Sequence, residues 1–157
     1  MASSTLPAVL AEIRSVLKTL PGLNPDEYPS AQDEQPIVCL VYPGSGRAQL
    51  GTSSNDSGRP SYWEFDTVVI DIVTPQSDMA ADYKAVEPYA QGVPTALFAA
   101  FSNDRFNGKI TTMSDPYTPG STWPIRRSLI YPVSGGVDVL GYRFEVDVSY
   151  QVDIIHD

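Results

Sequence analysis

Hydrophobic and polar residues alternate most regularly near the end of the chain, in YRFEVDVSYQVDI at residues 142–154. Successive side chains of a strand point to opposite faces of its sheet, so this period of two predicts a strand with one apolar face and one polar face. We expect the strand to span roughly residues 139–155. A second run, SYWEFDTVVIDIVT at residues 61–74, predicts another long strand.

Shorter patterns complete the predicted sheet. Residues 37–42 form an apolar run, and residues 109–114 are a short candidate strand. Residues 123–133 predict a further strand. Ser134-Gly135-Gly136 is a tight-turn signal, so this strand and the last one are expected to form an antiparallel hairpin.

Two regions show helical spacing instead. Residues 5–20 predict an amphipathic helix, with Thr5 as its N-cap and Pro21-Gly22 at its end. Residues 79–103 predict two helical pieces, with Pro94 in the first turn of the second piece. Together the elements predict an α+β fold, in which a mixed or antiparallel sheet of four to five strands carries helices on one face.

The length of 157 residues predicts a single domain over residues 1–157. Prolines and glycines gather at residues 21–36 and 43–60, which we interpret as extended loops. A connection as long as residues 43–60 is unusual in a compact domain, and such loops are either disordered or functional.

Charge and hydropathy exclude several classes of protein. The net charge is −9, so the chain lacks the general basic surface with which proteins bind nucleic acid phosphates. No stretch approaches the ~20 apolar residues that span a bilayer, and no membrane partner is expected. The N-terminus has no basic region followed by an apolar run, so no secretory signal is predicted.

The sequence offers little equipment for catalysis. Cys39 lies in an apolar run and His156 is the penultimate residue, so neither is placed for a nucleophile and base held rigidly in a pocket. One histidine and one cysteine also exclude the common zinc sites. We therefore expect a protein that is not an enzyme, with no catalytic residue, no metal and no cofactor.

Carboxylates two residues apart occur on both long strands, as Glu64 with Asp66 and as Glu145 with Asp147. Glycosidases use paired carboxylates, but acids at every second position are typical of a solvated strand face. Arg126 and Arg127 are adjacent and must point to opposite faces. One of them is expected to pair with acids of the neighbouring strand; an ion pair between subunits is the alternative.

The order of elements resembles the small tail terminator and tail-completion proteins of long-tailed bacteriophages. The similarity lies in the helix at residues 6–20, in VVIDIVTP of the second strand and in the terminal GYRFEVDVSYQV. It covers roughly residues 5–155.

The resemblance implies a structural virion protein at the head–tail junction, assembled in the host cytoplasm. Such proteins form a ring, commonly a homohexamer, that docks on the last ring of the tail tube and ends its polymerisation. The ring then meets the head connector and neck proteins and, in contractile tails, the sheath. DNA passes through without specific contacts, and no cofactor is implied.

For a ring of this kind, we propose candidate residues for the channel and for the interfaces. Carboxylates facing the channel would repel DNA phosphates, and the candidates are Glu145, Asp147 and Asp153, or Glu64 and Asp66. Candidate interface residues are Arg47, Arg59, Tyr62, Trp63, Arg126 and Arg127. For the two aromatic residues the alternative is packing within their own sheet.

Three other functions fit the same sequence features, one of them an adaptor domain within a larger secretion-like machine built from phage tail parts. A head-completion or connector protein of the same junction shares the size and the fold class, and binding to heads rather than tubes would identify it. A small ligand-binding domain would instead need a cavity with a few convergent polar groups.

Overall fold

A computed structural model describes residues 4–25, 37–50, 60–75, 79–113, 123–130 and 139–154. In chain order these residues form three helices and four strands, with bounds α1 Leu6–Leu17, β1 Val38–Leu50, β2 Ser61–Pro75, α2 Met79–Val86, α3 Tyr89–Gly108, β3 Ile125–Ile130 and β4 Val139–Asp153.

The strands of the described residues form one antiparallel sheet in the order β1-β2-β4-β3. The predicted α+β class is confirmed, as is the antiparallel pairing of the last two strands. The register of β2 and β4 pairs Val68 with Val146 and Ile70 with Phe144. Even-numbered residues of both strands therefore share one face of the sheet.

That even-numbered face carries the apolar core. Its residues Val68, Ile70 and Phe144 are fully buried, and they form one cluster with buried residues of all three helices. The opposite surface, called the outer face below, carries the odd-numbered residues of β2 and β4, including Trp63, Phe65, Thr67, Asp71, Arg143, Glu145 and Asp147. The apolar alternation predicted for the last strand therefore points into the core.

The first helix begins at Leu6, directly after the predicted N-cap residue Thr5. The hydroxyl of Thr5 accepts a bond from the Ala8 amide at 3.4 Å, as predicted for the N-cap. The helix ends at Leu17, three residues before the predicted end, and the amide of Leu20 bonds back to the Leu17 carbonyl at 3.1 Å. Such three-residue bonds tighten a last turn, here just before Pro21.

The break between α2 and α3 lies at Glu87–Pro88, so the prediction that Pro94 lies in the first turn of the second helix is wrong. Pro94 lies inside α3, where it has no amide proton for the Ala90 carbonyl four residues earlier. Nη1 of Arg127 on β3 donates to that carbonyl at 2.9 Å. A side chain from the sheet thus supplies the missing donor, and the helix continues through the proline.

The last turn of α3 reverses its handedness. Arg105, Phe106 and Asn107 have φ of 55°, 55° and 59°, and Gly108 has 75°. Non-glycine residues pay roughly 1–2 kcal/mol each in this region. Burial of Phe106 and a bond from the Asn107 amide to the Asp104 carboxylate hold the turn.

The reversed turn leads the chain to the edge of β4. The predicted strand at residues 109–114 is reduced there to an isolated bridge between Thr112 and Ser149. The Thr111 amide also donates to the Ser149 carbonyl, at 2.8 Å. This short segment therefore covers β4 where β3 no longer pairs with it.

The predicted loop at residues 43–60 is corrected in its first half. After an irregularity between Pro43 and Gly46, β1 continues to Leu50, which pairs with Tyr62. The composition of this segment is typical of a loop. However, β1 is an edge strand with a long partner strand, and this position accommodates Pro43 and Gly46. Residues 51–59, most of loop 21–36, the predicted turn at 134–136 and His156 lie outside the described residues.

We expect Gly141→Ala to lower the free energy of unfolding by about 3 kcal/mol. Gly141 pairs with Val73 on one side and Ile130 on the other, and an added Cβ would overlap the Ile72 carbonyl oxygen. Urea unfolding measures the change.

Gly92→Ala on α3 is the matched control, because its Cβ would meet only Leu20 Cδ2, at 3.9 Å. Alanine there should leave stability unchanged or raise it by up to about 1 kcal/mol. Equal effects of the two substitutions would contradict the close approach at Gly141.

Candidate functional site

The two sets of acids proposed from the sequence lie on opposite faces of the sheet. The register pairs Glu64 with Tyr150 and Asp66 with Val148, which places both acids on the core side. Glu145 and Asp147 project from the outer face. The two sets therefore do not form one acidic surface.

Asp66 is a buried acceptor within the fold. It is 6% exposed, and the Tyr150 hydroxyl donates to its Oδ2 at 2.6 Å. Burial, and then this bond, raise the pKa of Tyr150. Burial and the charge of Asp66 also raise the pKa of Glu64. In the protomer, Asp66 is thus engaged inside the structure and does not face solvent.

Asp147 is the centre of a polar network on the outer face. Arg126 donates to it twice, from Nη1 to Oδ2 at 2.6 Å and from Nη2 to Oδ1 at 3.1 Å. The Thr67 hydroxyl donates to Oδ1 at 2.8 Å, and Glu145 lies 3.7 Å from Arg126. The predicted pairing of one arginine with the neighbouring strand is confirmed, and it occurs within the chain.

A second network on the outer face was missed by sequence reasoning. Arg143 donates from Nε to Oδ1 of Asp71 at 2.8 Å and from Nη2 to Oδ2 at 3.1 Å. The Tyr42 hydroxyl donates to the same Oδ2 at 2.6 Å. The bond and charge of Asp71 raise the pKa of Arg143. The available signal was an acid inside the apolar run VVIDIV, but its partner is evident only once the register of β2 and β4 is known.

The outer face is therefore close to neutral and not strongly acidic. Its described charged side chains are three arginines and four acids, which leaves a net charge of −1. They are Arg47, Arg126, Arg143, Asp71, Glu145, Asp147 and Asp153. Phosphates near this face would meet both signs of charge.

The end of β1 and the beginning of β2 form an arm, defined here as residues 46–50 and 62–66. Every described β1 residue from Pro43 to Leu50 is exposed, and Leu50 is 72% exposed. The Arg47 guanidinium lies over the Phe65 ring at 5.0 Å, and Trp63 stacks on Phe65 with ring centroids 6.4 Å apart.

Trp63 accordingly packs within its own sheet, which was the alternative to an interface role. Tyr62 is half-buried on the other side of the arm. Arg59 lies outside the described residues. Arg127 points to the helix side of the sheet, opposite to Arg126, and contacts α3.

The described residues contain no metal site and no candidate membrane span. No group of three or more histidine, cysteine, aspartate or glutamate side chains among them is placed to hold a metal ion. No helix in this part of the chain is long and apolar enough to cross a membrane.

No protein-family model and no curated protein matches the chain. A functional assignment therefore depends on the residues and on their geometry.

We expect Cys39 to resist thiol reagents at pH 8 until the protein unfolds. Burial, followed by the charge of Asp71, raises the pKa of this thiol to about 12. Below the pKa of an unfolded thiol, about 8.5, the contribution of Cys39 to folding stability is fully present. It is lost as the pH rises toward 12, because the unfolded thiol ionises before the buried one. Labelling of the native protein as fast as a free thiol would contradict this environment.

Removing the carboxylate of Asp71 should cost more stability than removing that of Asp147. Asp71→Asn should lower the free energy of unfolding by about 2 kcal/mol. The substitution replaces a buried carboxylate with an amide, to which Arg143 and Tyr42 donate weaker hydrogen bonds. Asp147→Asn, where both side chains of the ion pair are a third or more exposed, should cost about 0.5 kcal/mol. Denaturant unfolding of both variants measures the two losses of stability. A larger loss for Asp147→Asn than for Asp71→Asn would contradict the difference in burial.

Proposed function

We propose that the protein is a structural virion protein that forms a ring on the head-proximal end of a phage tail tube. The ring ends tube polymerisation and joins the tail to the head connector while DNA passes through. The resemblance of the helix and of both long strands to tail terminator proteins motivates this proposal. The structure adds two observations in its favour, the arm and the near-neutral outer face.

The arm is regular β-structure whose β1 strand is not packed in the protomer. The β1 residues from Gly46 to Leu50 are exposed, although each of them pairs with a residue of β2. Long open edges are templates for pairing with another chain, and monomeric proteins usually shorten, charge or cover them. Leu50 adds an exposed apolar side chain. These properties favour a protein that completes its surface by contact with another chain.

A near-neutral sheet face suits passage of a polyanion. The outer set of Glu145, Asp147 and Asp153 is partly exposed throughout, whereas Asp66 of the other set is buried. We therefore propose that the outer face lines the channel. The ion pairs of Arg126 with Glu145 and Asp147, and of Arg143 with Asp71, limit both repulsion and attraction of phosphates. A ring imaged with this face on its outer rim would contradict this part of the proposal.

Electron microscopy of purified protein mixed with tail tubes tests the function. The expected product is a ring on one end of each tube. Tubes that stay bare, together with protein bound to DNA-filled heads, would assign it instead to the head side of the junction.

The substitution Leu50→Glu should abolish capping of tubes while leaving the fold intact. A charge at a 72% exposed position does not disturb the core, but it opposes burial of the arm against another chain. Circular dichroism and unfolding verify the fold, and microscopy counts capped ends.

The matched control is Phe98→Glu on α3, another exposed apolar residue, 41% exposed, that lies outside the arm. It should cap tubes like the unmodified protein. Normal capping by Leu50→Glu would refute the role of the arm.

A further inference from the structure

An open groove of about 610 Å³ lies on the helix side of the sheet, where α2 and the start of α3 pass over β3 and β4. Its walls combine two aromatic rings, two cations and one acid, namely Tyr83, Tyr142, Lys84, Arg127 and Glu87. The groove shares no residue with the arm or with the networks of the outer face.

Arg127 is held in this groove by two contacts. Nη1 donates to the Ala90 carbonyl, which Pro94 leaves without its helical donor, and the guanidinium lies 5.6 Å from the Tyr142 ring centroid. A guanidinium has five N–H donors in a rigid fork, so most of them are not used by these contacts.

The neighbouring arginines differ from Arg127 in their partners. Arg126 and Arg143 each form an ion pair with a carboxylate, at 2.6 and 2.8 Å. Within the described ranges, no carboxylate forms such a pair with Arg127.

The chemistry of the walls favours one class of ligand. The fork of Arg127 fits a carboxylate in a bidentate arrangement, with Lys84 as a second cation. Glu87 opposes a multiply charged phosphate or a nucleic acid backbone. Tyr83, which is 40% exposed, meets Tyr142 edge-on with centroids 6.5 Å apart and offers apolar contact.

The shape of the groove favours a protein segment over a small molecule. Pockets for small ligands bury most of the ligand surface, whereas four residues that line this groove are exposed, namely Tyr83, Lys84, Glu87 and Arg127. Tyrosine and arginine are the residue types that dominate binding energy at protein interfaces.

We infer that the groove is a docking site for an acidic segment of a partner protein. A carboxylate of that segment binds Arg127, and an adjacent apolar side chain lies against the exposed ring of Tyr83. The inference does not rest on the proposed function, because the groove and the arm are separate surfaces.

NMR titration of the full chain tests the inference with two peptides, acetyl-Ala-Phe-Glu-Ala-amide and its counterpart with Gln in place of Glu. The Glu peptide should shift signals of the groove residues, and the Gln peptide should bind about tenfold more weakly. Saturable shifts confined to the groove support the site. No saturable shift at millimolar peptide, or equal affinity of the two peptides, would overturn it.

Three variants separate binding from folding. Arg127→Lys keeps the charge but loses the fork, and Lys84→Gln removes a cation without touching the Ala90 contact. Both should weaken the Glu peptide severalfold, whereas Lys18→Gln at the end of α1 should not. Unchanged affinity in both groove variants refutes the inference, even if tube capping succeeds.

Free glutarate and inorganic phosphate are the competing ligands. Either one binding as tightly as the Glu peptide would overturn the inference, because it would show that the groove recognises a small anion.

Discussion

The register between β2 and β4 determines most of this structure. The two strands pair continuously from Ser61 with Asp153 to Pro75 with Val139. Since side chains alternate, a slip of one residue would exchange the two faces of a strand. The register therefore decides that Val68, Ile70 and Phe144 enter the core. Gly141 lies at a close approach within this pairing, because a Cβ there would overlap the Ile72 carbonyl oxygen.

Local patterns in the sequence were sufficient for the elements that are locally determined. The alternation in the two long strands and the helical spacing after Thr5 identified those elements. Arg127 explains why the second helix was divided at the wrong proline. Its donation to the Ala90 carbonyl comes from 37 residues away. The local preferences of proline in helices, from which the break was predicted, take no account of a donor from another element. The outer half of β1 was missed for the same reason, since β2 stabilises it.

The candidate surfaces show the same division. Acids two residues apart were visible in the sequence, but their faces and partners were not. Asp71 meets Arg143 from 72 residues away, and Asp147 meets Thr67 from 80. Composition reports net charge without its arrangement. Here the arrangement pairs acids with arginines across strands, so an acidic chain presents a sheet face of almost no net charge.

The single cysteine has a practical consequence for studying assembly. Because Cys39 is the only thiol of the chain and is buried, a cysteine introduced on the surface becomes the one reactive site of the native protein. Spectroscopic labels can then be attached to the arm or to the groove without removing the natural residue. In the proposed ring, distances between labels on adjacent copies would report the orientation of each copy directly, in solution and before any image is averaged.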